Sequence, residues 1–208
     1  ALTRNASSVV FIGHSMGAIS ATDAAVRAAE SGKRAALVLI APAIVASRRL
    51  GPPSAKRRSV IARAVGAVTR LVVTRWPFRV FVRRLVLAKD FWPRGLGATY
   101  GERARRDTDN VNAYAKRYAR AAGVVGWERG LLAFCAARLE QVLNALLTGD
   151  SIEARLARTL RSAYIPLDRV LVINGVDDAL VPVANARRLV ENLKKSAPAA
   201  SVELVEIA

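Results

Sequence analysis

The sequence predicts an α/β protein: a parallel sheet with flanking helices, interrupted by a long helical insertion. Three observations predict it. Short apolar runs at residues 8–12 and 36–40 enclose an alanine-rich helical stretch. Residues 43–164 then show helical patterns and no convincing central strand. Strand patterning returns at 170–173 and 202–207, around one more helix. Strand, helix, strand units of this length need a crossover, and crossovers give parallel strands.

The first run, Val9-Val10-Phe11-Ile12, is bounded by polar residues and a glycine, as a buried strand is. A helix is predicted over 16–30, with a slim face of Ala18, Ala21, Ala25 and Ala28 that permits close packing on a sheet; Ser31-Gly32 ends it. Ala36-Leu37-Val38-Leu39-Ile40 is a second buried strand, closed by Ala41-Pro42. Gly51-Pro52-Pro53 breaks the chain. Helical spacing follows over 57–74, 77–90 and 102–121. The strongest helix covers 127–147, with Leu131, Leu132, Cys135, Leu139, Val142, Leu143 and Leu146 on its apolar side. Thr148-Gly149 terminates it, and Asp150 with Glu153 resembles a capping box opening a short helix. Residues 170–173 form a strand, Asn174-Gly175 turns the chain, and Pro182 stands at the head of a helix over 184–195. The last strand is 202–207. The organisation is therefore a core segment 1–42, an inserted helical segment 43–164, and a second core segment 165–208.

Composition narrows the function classes. Apolar residues make up 52% of the 208, which argues against disorder. The single cysteine, Cys135, excludes a disulfide framework and a cysteine-based metal site, and it fits an intracellular setting. No cofactor-binding or metal-binding set is read. No signal peptide opens the sequence, and no apolar run is long enough to span a membrane. The net charge is +17, and residues 31–89 hold fourteen basic side chains and no acidic one. Such a face attracts phosphate or anionic lipid, or is simply a solvated surface. Nucleic acid is not expected as a partner: the basic stretch lacks finger spacing, RNP-type runs and a supply of aromatics.

The chemistry concentrates at Gly13-His14-Ser15-Met16-Gly17. A Gly-x-Ser-x-Gly run is informative only between a buried strand and a helix, and that is its context here. The serine then occupies a strained turn, with Gly13 and Gly17 leaving room for strand and helix to approach. Its Oγ is presented at the carboxyl end of the sheet, where α/β sites lie. The backbone N–H of Met16 points at a developing oxyanion, aided by the helix N-terminus. Ser15 is thus the candidate nucleophile. His14, the only histidine, is not its base. Neighbours on a sharp turn project apart, and a base must reach Oγ from a separate loop. His14 is expected as a packed or hydrogen-bonded neighbour that shapes the turn.

A carboxylate in Gly175-Val176-Asp177-Asp178-Ala179-Leu180-Val181-Pro182 lies past a buried strand, at the same sheet edge. It would orient a histidine; alternatively it serves local turn hydrogen bonding.

These segments together resemble the α/β-hydrolase fold superfamily, in its serine-nucleophile members with a helical lid. Residues 10–17 are similar to the elbow, 37–42 to the following strand, and 170–175 with Asp177-Asp178 and Val181-Pro182 to the acid strand and loop. Gly126-Trp127-Glu128-Arg129 is similar to the lid of plastid-type hydrolases of plants and algae. The resemblance implies Asp178 as the acid, with Asp177 as second choice. It also implies a base histidine just past the last strand, which these residues do not contain. The opening strands and the loop supplying a second oxyanion N–H are missing too, so the sequence reads as incomplete at both ends.

The expected function is acyl-enzyme hydrolysis of a carboxylic ester or lipid-like substrate by the whole protein. The 208 residues alone are expected to have little activity. The alternative is a catalytically inactive hydrolase-like binding protein at an anionic membrane surface.

Overall fold

A computed structural model of the chain describes residues 6–44, 68, 75–99, 107–162 and 164–208, with 98, 144, 146–148 and 168 described by backbone alone. The helix expected over 57–74 lies, apart from helical and exposed Val68, outside the described residues. The chain divides into two compact units, residues 1–51 with 152–208, and residues 52–151.

The first unit holds four strands, β1 (Ser8–His14), β2 (Arg34–Ile40), β3 (Leu167–Gly175) and β4 (Ser201–Ile207), in spatial order β1-β2-β3-β4. Every neighbouring pair is parallel. His14, Ile40 and Ile173 stand level in register, so the strands reach the carboxyl edge together. The strands are longer than their apolar runs because backbone pairing continues through flanking polar residues such as Arg34 and Asn174.

Helices of this unit are α1 (Gly17–Glu30), α6 (Ile152–Arg161) and α7 (Val183–Ser196). Alternation along the strands sends Leu37, Leu39, Val170, Val172 and Val202 to the face these helices cover. α1 packs on β1 and β2, and α7 on β3 and β4. The slim alanine face of α1 is real at Ala18, Ala21 and Ala25, but Ile19, Val26 and Ala29 bury with them while Ala28 is only half-buried. Burying these side chains, at about 25 cal/mol per Å² of apolar area, is the main stabilising term of the unit. α6 falls within the expected insertion, 43–164, yet Leu156, Ala157 and Leu160 belong to the sheet unit's core. Asp23 of α1 ties the two helices, accepting from Arg155 Nη1 at 2.6 Å and from Arg27 Nε at 2.7 Å. Glu153 is fully buried and accepts from Asn192 Nδ2 at 2.8 Å, joining α6 to α7.

The second unit is helical where described: α2 (Trp76–Val86), α3 (Phe91–Thr99), α4 (Thr108–Ala119), a 3₁₀ turn (Arg120–Gly123) and α5 (Trp127–Thr148). α3 has no counterpart in the sequence reading, because Pro93, Gly95 and Gly97 lower its local helix propensity. α5 starts and stops at left-handed glycines, Gly126 (φ 79°) and Gly149 (φ 72°). Its expected apolar side is partly wrong. Cys135, Leu139 and Val142 are exposed, while Glu128, Leu132 and Ala136, spaced four apart, are buried. The buried stripe begins on a glutamate because Arg79 Nη2 of α2 reaches Glu128 Oε1 at 3.1 Å. Hydrophobic periodicity cannot register a paired charge. No described helix is long and apolar enough to cross a membrane.

Candidate active site

Ser15 sits between the end of β1 and the start of α1, in the left-handed region at φ 51°. A non-glycine side chain pays strain there, and the surrounding bonds hold it. Ser15 N–H donates to Ile40 O at 2.8 Å, while Ser15 O accepts from Ala18 N–H at 3.1 Å and Ala43 N–H at 3.0 Å. The turn is thus pinned to β2, to α1 and to the chain beyond β2. The side chain is half-buried.

Gly13 makes the turn feasible. A Cβ there would stand 2.5 Å from Ala18 Cα and 2.7 Å from Gly17 O, both backbone atoms. Gly17 does not have the role expected of it. A Cβ on Gly17 would meet nothing within 4 Å. Met16 is the N-cap of α1 in right-handed geometry (φ −64°, ψ −26°). Among the described residues its N–H donates to no backbone carbonyl. It lies at the positive end of a fourteen-residue helix, where anions are favoured.

His14 departs from expectation. It is exposed rather than packed, because alternation along β1 places it with Val10 and Ile12 on the face opposite α1. The strand that carries it toward Ser15 also turns its ring away from the core.

The acid loop follows β3. Asp178 is half-buried and its Oδ1 accepts from Leu180 N–H at 2.9 Å and Val181 N–H at 2.8 Å. Asp177 is exposed. Both the catalytic and the local-turn readings expect the Asp178 bonds, which fix one carboxylate oxygen and leave Oδ2 outside them. Asn174, at the end of β3, frames the loop from below. It is buried, and its Nδ2 donates to Val181 O at 3.0 Å and Gly175 O at 3.1 Å. Val176 N–H donates to Ile207 O at 2.9 Å, so the loop also leans on the end of β4. Beside it Arg187 of α7 grips Glu206 of β4 through Nε (2.7 Å) and Nη2 (2.5 Å). That guanidinium holds the Glu206 carboxyl below its usual range, chiefly by hydrogen bonding its charged form, with its charge adding to this against the opposing effect of burial.

Ser15 and Asp178 therefore leave the same sheet edge, from β1 and β3, with β2 between them. Two strand spacings separate the chains by about 10 Å. The segment after β2 bridges them. Ala41 is left-handed (φ 43°) and donates to Ile173 O at 2.8 Å; Ala43 donates to Ser15 O; buried Ile44 accepts from Asn185 Nδ2 of α7 at 2.6 Å. Asn174 and this bridge escaped sequence reasoning. Asn before Gly reads only as a turn, and an alanine carries no sign of positive φ. A hollow of about 290 Å³ lies at the opposite strand ends, between Ser8, Arg34 and Arg169, away from these groups.

A family model, described as Serine aminopeptidase, S33, matches residues 2–204. The chain belongs to this family. Its sheet is accordingly part of an α/β-hydrolase fold. Comparison with curated proteins gave no match. Among solved structures, the chain is similar to an α/β-hydrolase enzyme from a Medee basin deep-sea metagenome library. The identity is 16% and the TM-score 0.47, covering 98% of this chain and 57% of that one. It is also similar to a Mycobacterium tuberculosis protein, Rv0554 (18%, TM-score 0.43, 96% and 57%). A third is an N-formylmaleamic acid deformylase of Pseudomonas putida (15%, TM-score 0.41, 99% and 62%). The chain thus spans less than two thirds of each of these structures.

Proposed function

We propose that the whole protein is a serine hydrolase acting on a carboxylic ester or lipid-like substrate. The observation that carries this is Ser15 at φ 51° at the carboxyl edge of a parallel sheet, facing the same edge as Asp178. Backbone strain of this kind persists only where surrounding bonds impose it, and it clusters at reactive positions.

In this reading Ser15 Oγ attacks the substrate carbonyl carbon and gives its proton to a histidine base. Met16 N–H steadies the oxyanion of the tetrahedral intermediate. The alcohol leaves with that proton, and water then releases the acid from Ser15. Asp178 Oδ2 orients the histidine and stabilises its charged form. His14 does not fill that role, and no other histidine stands in these residues. The 208 residues alone are therefore expected to turn over esters slowly or not at all.

The family description names an aminopeptidase, which must bind a cationic substrate amine. The discriminating assay offers the whole protein p-nitrophenyl esters and aminoacyl p-nitroanilides. Ester turnover abolished by Ser15→Ala is expected; anilide turnover exceeding ester turnover would overturn the substrate class. A folded whole protein inert to both would favour a non-catalytic binding protein.

A further inference from the structure

We infer that helix α2 is a docking surface for an anionic lipid bilayer. One side of α2 is committed to its own unit: Val86 is buried and Arg79 pairs with Glu128. The other side is apolar and open. Trp76 is 72% exposed, Phe81 62% and Leu85 46%. Pro77, Phe81 and Leu85 follow at four-residue spacing and form one ridge, which half-exposed Phe78 joins at i+3 and i+7 spacing, while Trp76 opens the helix to one side of it. Leu87, just past the helix, is also 54% exposed.

Charge decides what covers this ridge. Arg84 flanks it, exposed Arg75 and Lys89 stand near its two ends, and residues 31–89 contain no acid. The first acidic residue beyond, Asp90, is paired with Arg94 at 3.0 Å. A second copy of the chain would bring the same cations against these and be repelled. Nucleic acid would meet the cations but gain little from Leu85 and Leu87. An anionic bilayer meets both halves at once: headgroup phosphates take the cations, and the acyl boundary takes Phe81 and Leu85. An indole at the rim suits the interface, where one end is apolar and the other wet. The helix would lie in the surface plane, its eleven residues being far too few to cross.

The test is co-sedimentation of the whole protein with vesicles of phosphatidylcholine, with and without phosphatidylglycerol. Binding to the anionic vesicles alone, weakened by salt, is expected. Phe81→Ser with Leu85→Ser should weaken it roughly 10-fold or more, through lost apolar burial. Arg84→Gln should weaken it about 5-fold. Circular dichroism of each variant controls for folding, and Ser15→Ala should bind as the parent does. Equal binding to neutral vesicles, or binding untouched by the Phe81 and Leu85 changes, would overturn the inference. So would self-association, or retention of RNA, abolished by those same changes.

Discussion

Gly13 lies so close to Ala18 that a single added carbon would stand 2.5 Å from the Ala18 Cα. Strand and helix meet here with only the Ala21 Cβ, 2.7 Å from that added carbon, beside the backbone, and Ser15 is held in the loop that this contact tightens. Gly13→Ala should destabilise the sheet unit by about 3 kcal/mol, the upper range for overpacking, because the obstructing atoms are two backbone atoms and the Ala21 Cβ, none the far end of a flexible side chain. Gly17→Ala should change stability by no more than about 0.5 kcal/mol. Urea unfolding of the two variants side by side checks the asymmetry; equal effects would refute it.

Strain at Ser15 has its own signature. Ser15→Gly should be more stable than Ser15→Ala by about 1 kcal/mol, since only glycine occupies φ 51° freely. Both variants lose the hydroxyl, so it drops out of their difference; Ser15→Ala as stable as Ser15→Gly or more so would refute the strain. Thermal or urea unfolding reads the difference.

Asp178 separates loop support from chemistry. Asp178→Ala removes the acceptor for Leu180 and Val181 N–H and should cost about 1–2 kcal/mol. Asp178→Asn keeps an acceptor oxygen and most of that stability. In the whole protein it should nonetheless lower kcat by roughly 10⁴-fold, as expected for loss of the carboxylate that orients a base. Asp177→Ala, at an exposed position, should leave both quantities near the parent's.

Acid should loosen the brace beside that loop. The Glu206 carboxyl titrates below its usual range because Arg187 hydrogen-bonds its charged form. A depressed folded value means that the stabilisation is present above the unfolded value, near pH 4.5, and is lost as pH falls through the lower folded one. Glu206→Gln should therefore flatten the acid limb of the stability curve. Its effect should shrink as salt is raised, because the pair is exposed.

Much of this architecture was legible in the residues. Ala36 to Ile40 and Val170 to Ile173 announce buried strands through continuous apolar runs; Val9 to Ile12 announces a strand but not its surroundings, since Val10 and Ile12 are exposed. Ser15 between strand and helix announces its turn. Less legible was anything decided by partners distant in sequence. Glu128 is buried because Arg79 lies against it. Asn174 matters because Val181 folds back over it. Ala41 adopts positive φ because Ile173 and Ser15 capture the chain on either side. The face of β1 that exposes His14 follows from where α1 packs, and local pattern does not report that.

The central claim is that Ser15 is a nucleophile. Treating the whole protein with a fluorophosphonate probe and mapping the adduct by peptide mass spectrometry tests it most directly. One stoichiometric adduct on Ser15, absent from Ser15→Ala, is the expected result. A folded whole protein that remains unlabelled, or carries the adduct on another residue, would contradict it.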